Sequence, residues 1–281
     1  MSAPAIDPAL RVASATLAVA DLDRSVAFYE QALGLRVADR SEARALLGIE
    51  GAAPALALEA IERPQPLQAR RTGLFHVAWL HPSRAALAAT VNRVLGAGWR
   101  LTGASDHGVS EALYLDDPDG LGIEIYADRP RERWQRAADG RGVVMVTLPL
   151  DVDDLLAQDD GPLQPEIAAG THIGHVHMKV ADVPRATAFY RDALGFELEA
   201  QMPSAAFLAA GGYHHHIGLN SWMSLGAERA AESEPGLRGI TFALGGQGAV
   251  DAVAAAAGVE PAPGALELMD PDGQQLRFAP A

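Results

Sequence analysis

The sequence predicts an α+β fold made of four units, each a strand followed by a helix and further strands. Two pairs of internal repeats carry this prediction. TLAVADLDRSVAFYEQALGL (16–35) matches HMKVADVPRATAFYRDALGF (177–196), and ALYLDDPDGLGIEIY (112–126) resembles ALELMDPDGQQLRF (265–278). The two members of each pair are therefore expected to be the same structural unit.

Each member of the first pair contains a strand, a helix and the signals that begin and end a helix. Apolar and polar residues alternate up to Asp21 and Asp182, which stand where helix N-caps are expected. Gly34 and Gly195 follow the amphipathic stretches, at positions where helices commonly end. Both segments therefore predict a strand followed by a capped helix.

The second pair predicts β-hairpins, because each member has two alternating runs joined by a D-P-D-G turn. Helical stretches precede them at VNRVLGAG (91–98) and VDAVAAAAG (250–258). An Asp-, Pro- and Gly-rich stretch between the halves predicts a linker. The resulting boundaries are 1–65 for module 1, 66–135 for module 2, 136–170 for the linker, 171–225 for module 3 and 233–281 for module 4.

Composition limits the chemistry that the chain can support. It has no cysteine, which rules out disulfides and thiolate chemistry and leaves His, Asp and Glu as candidate metal ligands. A net charge of −14 without a long basic run argues against nucleic acid as a partner. No apolar run is long enough for a membrane helix, and the N-terminus does not resemble a signal peptide. We therefore expect a cytoplasmic protein that binds a small molecule.

Two further segments point to a family. GASDHGVSEALYLDDPDGLGIEIYADRPRERW and GGYHHHIGLNSW, together with the repeats, resemble the vicinal oxygen chelate (glyoxalase/bleomycin resistance/dioxygenase) superfamily over nearly the whole chain. Four modules resemble the type I extradiol dioxygenases, and the two segments resemble their bacterial catechol 2,3-dioxygenase-like branch. The resemblance implies βαβββ modules that form two cupped, barrel-like sheets with helices outside.

Strand alternation selects the side chains that face a cavity. In IGHVHMKV, His175 and His177 lie on the polar row, opposite an apolar row. In FHVAW, His76 and Ala78 alternate with the bulky Phe75, Val77 and Trp79. In GIEIY, Glu124 lies between two isoleucines. These strands therefore direct histidines and one glutamate toward a shared cavity.

The resemblance implies that His76, Glu124 and His175 bind the metal. Two histidines and a carboxylate are the ligand set of non-haem Fe(II) oxygenases, and Mn(II) is compatible with the same ligands. Modules 1 and 4 offer Ser14, Ala57, Gly239 and Arg277 at the equivalent positions, which cannot complete a site. The three ligands can meet only if module 2 pairs with module 3, so we expect modules 1 and 4 to pair with each other.

The resemblance also implies an acid–base histidine and a hydrogen-bonding tyrosine. The alternation of HHHIGLNSW directs His216 inward, with His214 as the alternative, and places His215 on the apolar row. Tyr114 lies ten positions before Glu124, as in the family. His107, in an Asp–His pair, matches a family histidine with a short insertion.

These observations predict an Fe(II)-dependent extradiol dioxygenase that opens a catechol-like aromatic diol with O2. A glyoxalase-like metal-dependent lyase or isomerase is one alternative, and a metal-free binding or resistance protein is another. His81 and His172 are expected at the surface. We expect no nucleic-acid or membrane partner. Exposed sheet edges in such modules often pair, so a homo-oligomer is an alternative to a monomer.

Overall fold

Two curled β-sheets divide the chain between them in the computed structural model, which describes residues 4–138, 140, 142–159 and 161–281. Residues 139, 141 and 160 of the predicted linker lie outside the described residues. The first half contains β1 (Arg11–Val19), α1 (Leu22–Phe28), β2 (Arg36–Arg40), β3 (Arg44–Gly48), β4 (Leu56–Ala60), β5 (Gly73–His81), α2 (Arg84–Gly96), β6 (Gly103–Asp106), β7 (Ser110–Asp116) and β8 (Gly122–Asp128).

A short helix, α3 (Val152–Leu156), lies in the connection between the halves, and the repeats then resume. The second half contains β9 (His172–Lys179), α4 (Val183–Ala188), β10 (Glu197–Met202), β11 (Ala205–Ala209), β12 (Ile217–Asn220), β13 (Gly236–Leu244), α5 (Gln247–Ala256), β14 (Leu266–Met269) and β15 (Gln275–Pro280).

The predicted fold class is confirmed, with one difference in the fourth unit. The first three units have the order strand, helix and three strands, whereas the fourth has only two strands after its helix. The segment between α5 and β14 is short and contains Pro261, Pro263 and Gly264. Proline cannot donate to a strand ladder, so this segment is poorly suited to form the missing strand.

The strand order confirms the expected exchange of partners between modules. A seven-stranded sheet has the order β14-β15-β13-β1-β4-β3-β2, and an eight-stranded sheet has the order β10-β11-β12-β9-β5-β8-β7-β6. Units 1 and 4 therefore form one sheet, and units 2 and 3 form the other. In each sheet the first strands of the two units pair antiparallel at the centre.

The repeated helices begin and end where the sequence predicts. The side chains of Asp21 and Asp182 accept hydrogen bonds from backbone N–H groups in the first turns of α1 and α4. Each helix continues into a π-helical turn, after which Gly34 and Gly195 have φ of 74° and 83°. Only glycine adopts this left-handed conformation without strain, so it lets the chain return to the sheet.

The two repeated motifs contact each other across the sheets. The Tyr29 hydroxyl of module 1 donates to Asp117 in the D-P-D-G turn of module 2, at 3.3 Å. The Tyr190 hydroxyl of module 3 donates to Asp270 in the matching turn of module 4, at 3.0 Å. Because modules 1 and 2 belong to different sheets, and so do modules 3 and 4, these two contacts, which we call the tyrosine clasps, join the sheets.

One hydrophobic core covers the outer faces of both sheets. On β5, Val77 and Trp79 are buried in it, while His76 points to the opposite, concave face. Among the described residues, no helix is both long and apolar enough to cross a bilayer. The concave face of the eight-stranded sheet, which carries His76, thus lies apart from this core.

Candidate metal centre and substrate cavity

The candidate metal ligands lie on three neighbouring strands at the centre of the eight-stranded sheet. His175 on β9 and Glu124 on β8 both pair in register with Ala78 of β5, one from each side. His76 lies two positions before Ala78 on the same face. Because Ala78 has only a methyl group, the three longer side chains can converge above it. All three are buried, with at most 5% of their surface exposed.

The donor atoms of these three residues meet at one point. Glu124 Oε2 lies 2.9 Å from His76 Nε2 and 3.3 Å from His175 Nε2, and the two nitrogens are 3.3 Å apart. Ligands about 2.1 Å from an octahedral metal, at right angles to each other, are about 3.0 Å apart. The triangle of atoms therefore has the dimensions of one face of such a coordination sphere. It is the only metal-sized cluster of His, Asp and Glu among the described residues.

The electrostatics keep Glu124 and His175 in the protonation states that bind metals. Burial alone would raise the pKa of Glu124, but His175 and His76 hold it well below its usual range. Burial lowers the pKa of His175 to about 4, against the opposing effect of Glu124. A neutral imidazole and an ionised carboxylate are the forms that donate electron pairs to a metal.

The ligand triangle lies at the edge of a cavity of about 440 Å3. Aromatic and sulfur-containing side chains form much of its wall, namely Phe75, Met145, Met202, Phe207 and Trp222. Such walls suit a flat aromatic ring, because π faces and thioethers pack well against it. His177 also faces this cavity, and its Nε2 lies 3.1 Å from the side-chain amide nitrogen of Asn220.

Tyr114 and His107 line the cavity together. Tyr114 pairs in register with Glu124, and its hydroxyl lies 2.7 Å from His107 Nε2. His107 Nδ1 lies 2.7 Å from the Val146 carbonyl, which can only accept a hydrogen bond. Nδ1 therefore donates to Val146, and in the neutral ring Nε2 accepts from the tyrosine hydroxyl. Burial and the nearby Glu124 raise the pKa of Tyr114, so the phenol stays protonated.

The histidine triplet is oriented differently from the sequence prediction. His215 lines the cavity, whereas His216 lines a separate cavity with Asp128 and Tyr213. His216 Nδ1 instead accepts a hydrogen bond from the Ala210 N–H group at 3.2 Å. The predicted inward orientation of His216 is therefore wrong.

The reason is that the triplet precedes the strand. β12 begins only at Ile217, so the alternation of a strand does not apply to the three histidines. Gly211 and Gly212, with φ of 63° and 66°, form a turn just before them. These adjacent glycines were the signal in the sequence that alternation would fail here.

His214 and Asp128 position His215 through a chain of hydrogen bonds. His214 is completely buried, and its Nδ1 lies 2.7 Å from His215 Nδ1. Its other nitrogen, Nε2, lies 2.9 Å from Asp128 Oδ1. Because the carboxylate can only accept, Nε2 of His214 donates to it, and in a neutral ring His214 Nδ1 then accepts from His215. The three side chains form a chain of hydrogen bonds that ends at the cavity.

Two other sequence expectations need correction. Strand alternation predicts that Phe75 lies on the row away from the cavity, but a β-bulge between Leu74 and His76 turns its ring inward. His81 was expected at the surface, yet it is buried and hydrogen-bonded to the Trp79 carbonyl and to Thr90. His172 is exposed, as expected.

Comparison with known proteins identifies the family of this chain. Residues 11–125 and 172–265 match the Glyoxalase/Bleomycin resistance protein/Dioxygenase superfamily. The chain belongs to that superfamily. A catechol-2,3-dioxygenase from Bacillus subtilis (strain 168) is 41% identical over 243 residues, which are 85% of this chain and 85% of that protein.

Two solved structures share the fold of this chain. A putative dioxygenase from Bacillus subtilis superposes with a TM-score of 0.62 at 14% identity, covering 99% of this chain and 86% of that one. Glyoxalase I from Zea mays superposes with a TM-score of 0.57 at 19% identity, covering 97% and 92%. At these identities the likeness concerns the arrangement of strands and helices alone.

Proposed function

We propose that this protein is an Fe(II)-dependent extradiol dioxygenase that cleaves a catechol-like aromatic diol with O2. The observation that carries the proposal is the convergence of His76, Glu124 and His175 at the edge of an aromatic-walled cavity. Support also comes from the 41% identity to a catechol-2,3-dioxygenase over most of both chains.

The donor set fits Fe(II), and Mn(II) is compatible with the same atoms. His76, His175 and Glu124 would hold the metal through two imidazoles and one carboxylate, and the cavity beside them would receive the substrate and O2. When bound, the metal supplies a path for electrons between the diol and O2. The aromatic side chains hold the ring plane, and the buried walls exclude water from the reacting face.

The proton steps fall to side chains of the cavity wall. His215 takes the role predicted for His216, because its ring lines the cavity. Since Nδ1 of His215 is engaged with His214, Nε2 is the nitrogen that remains to exchange a proton with substrate. Tyr114 offers a hydroxyl beside Glu124, and His107 fixes its direction.

A glyoxalase-like reaction is less compatible with the site. That chemistry typically uses four protein ligands, two of them carboxylates, and module 3 has Gly218 near the position equivalent to Glu124. A Cβ atom at Gly218 would lie 2.7 Å from the His177 ring, so no carboxylate side chain fits there. A metal-free binding protein, in turn, would have no use for the buried ligand triangle.

Anaerobic loading with Fe(II), followed by a panel of catechols, hydroquinones and the methylglyoxal–glutathione adduct and then O2, tests the proposal. We expect O2 uptake and a yellow ring-cleavage product with a catechol. His76→Ala and Glu124→Ala should lose both iron and activity, whereas Ser14→Ala, in the other sheet, should keep both. Turnover without O2 would instead indicate an isomerase. A cytoplasmic location and self-association stay predictions.

A further inference from the structure

The seven-stranded sheet also encloses a cavity of about 440 Å3, the same volume as the cavity beside the candidate metal ligands. Its floor is formed by β1 and β13, the counterparts of β5 and β9. Ser14 pairs with Thr241 in this sheet. The equivalent pair in the eight-stranded sheet is His76 and His177. The seven-stranded sheet thus forms a second cavity, which we call the second cup. Other residues stand in it at the positions equivalent to the candidate metal ligands.

The chemistry of this second cup is polar. Its floor carries the hydroxyl groups of Ser14, Thr16 and Thr241, and none of them hydrogen-bonds to another side chain or backbone group among the described residues. Charged side chains form the walls: Arg44, Glu59, Arg238, Glu267 and Arg277. The aromatic residues that line the first cavity have no counterpart here within the described chain.

The charges in the cup leave one arginine without a carboxylate partner. Arg44 lies 3.6 Å from Glu59, and Arg277 lies 3.3 Å from Glu267. The guanidinium of Arg238 instead donates to the backbone carbonyls of residues 232 and 234, at 2.9 and 2.7 Å. Within the described residues, no carboxylate lies within ion-pair distance of Arg238. The cup therefore offers an excess positive charge, in a protein whose net charge is −14.

We propose that this second cup is a binding site for a small carboxylate-bearing molecule. Both hydrogens of Arg238 Nη2 are used by the two backbone carbonyls, and Nη1, which has no partner among the described residues, can donate a charge-assisted hydrogen bond to a carboxylate; the floor hydroxyls can bind further oxygens of the ligand. The volume lies within the range of small-molecule sites. The described lining contains no histidine, and this proposal does not depend on the activity of the first cavity.

Gly239 offers a way to fill the cup. A Cβ at this position would lie 3.5 Å from the Gln275 carbonyl oxygen, which is ordinary contact, and the backbone is not in the left-handed region. Gly239→Leu should therefore occupy the cup without displacing the backbone. Gly248, on the helix outside the same module, has open space around it, so Gly248→Leu is the matched control.

The test is calorimetric titration of the iron-loaded protein with benzoate, succinate and pyruvate, each compared with its amide. We expect at least one carboxylate to bind with Kd of about 1 mM or tighter, and its amide to bind at least about tenfold more weakly. Gly239→Leu and Arg238→Gln should each weaken the carboxylate at least about tenfold, an energy difference of about 1.4 kcal/mol. Gly248→Leu and Glu124→Ala should leave its affinity unchanged.

Three results would overturn the proposal. These are binding of none of the carboxylates, equal binding of acid and amide, and binding that survives Gly239→Leu but disappears in Glu124→Ala. The last would place the ligand in the first cavity. Should Gly239→Leu fail to fold, the isosteric pair Thr16→Val and Thr241→Val removes two floor hydroxyls. Unchanged affinity in that double variant would equally contradict the proposal.

Discussion

The ring of His215 lies against the ring of His175, with their centroids 4.0 Å apart. This contact joins the histidine triplet to the candidate metal centre through its middle member. His215 is positioned by His214 and Asp128 on one side and by the candidate ligand His175 on the other. A residue held from two sides keeps a fixed distance from a bound substrate, as proton transfer requires.

Replacing His215 should therefore affect turnover more than metal binding. In His215→Asn, we expect iron content to stay near that of the wild type while kcat falls by about 10²–10⁴-fold, the usual contribution of a positioned acid or base. Iron analysis and O2 uptake measure the two quantities. His216→Asn is the control, because His216 faces a different cavity, and it should change kcat little. The opposite ranking of the two variants would return the role to His216.

Asp128 should act on catalysis through His214. Asp128→Asn weakens the acceptor for His214 Nε2 and permits the other tautomer, so His215 loses its fixed orientation. We expect kcat to fall about tenfold or more, with unchanged KM and iron content. The pH profile of kcat should also shift relative to the wild type. An equal loss of stability and activity with an unchanged profile would indicate a purely structural role.

Tyr114→Phe tests the hydroxyl beside Glu124. It removes the hydrogen bond to His107 but keeps the ring, so the cavity shape should persist. A lost hydrogen bond costs about 1 kcal/mol, which corresponds to about a fivefold effect on kcat/KM. Steady-state kinetics with one catechol measure it. If His107→Asn, which removes the hydrogen-bond partner of the hydroxyl, gives a larger loss than Tyr114→Phe, His107 contacts the substrate itself.

Much of the architecture could be predicted from the sequence because it repeats. The Asp caps, the terminal glycines and the D-P-D-G hairpins each occur twice. The structure predicted for one copy is therefore also evidence for the structure of the other. Strand alternation predicted the direction of Glu124 because β8 pairs with both of its neighbours without a register shift, and it held for His175 although the pairing of β9 with β5 shifts register between His175 and Ile173. The pairing of units 2 and 3 could be predicted because only these units carry His and Glu at the ligand positions. Units 1 and 4 carry Ser, Ala, Gly and Arg there.

The rest depended on local departures from regular strands. A β-bulge before His76 turns Phe75 inward, and the turn at Gly211 and Gly212 shifts the triplet out of the alternating frame. Neither displacement follows from residue periodicity, since both are single-residue irregularities. His81 is buried by hydrogen bonds to a carbonyl and to Thr90, and these partners come together only in the folded chain.

The tyrosine clasp between Tyr29 and Asp117 predicts how stability depends on pH. Burial raises the pKa of Asp117 to about 7, although its hydrogen bonds to the N–H groups of Asp119 and Leu121 oppose the rise. The folded state therefore binds this proton more tightly than the unfolded state does. The stabilisation is complete below the unfolded pKa, near 4, and is lost as pH rises through about 7.

Asp117→Asn should remove this dependence. The asparagine Oδ1 can still accept both backbone N–H groups, and its amide can donate to the Tyr29 hydroxyl. Relative to the wild type, the free energy of unfolding of Asp117→Asn should rise by about 2–3 kcal/mol between pH 5 and pH 8. Urea unfolding at several pH values measures this difference. Glu260→Gln, at an exposed carboxylate, should show no such rise. A pH-independent difference for Asp117→Asn would mean that Asp117 is already ionised in the folded protein at pH 5.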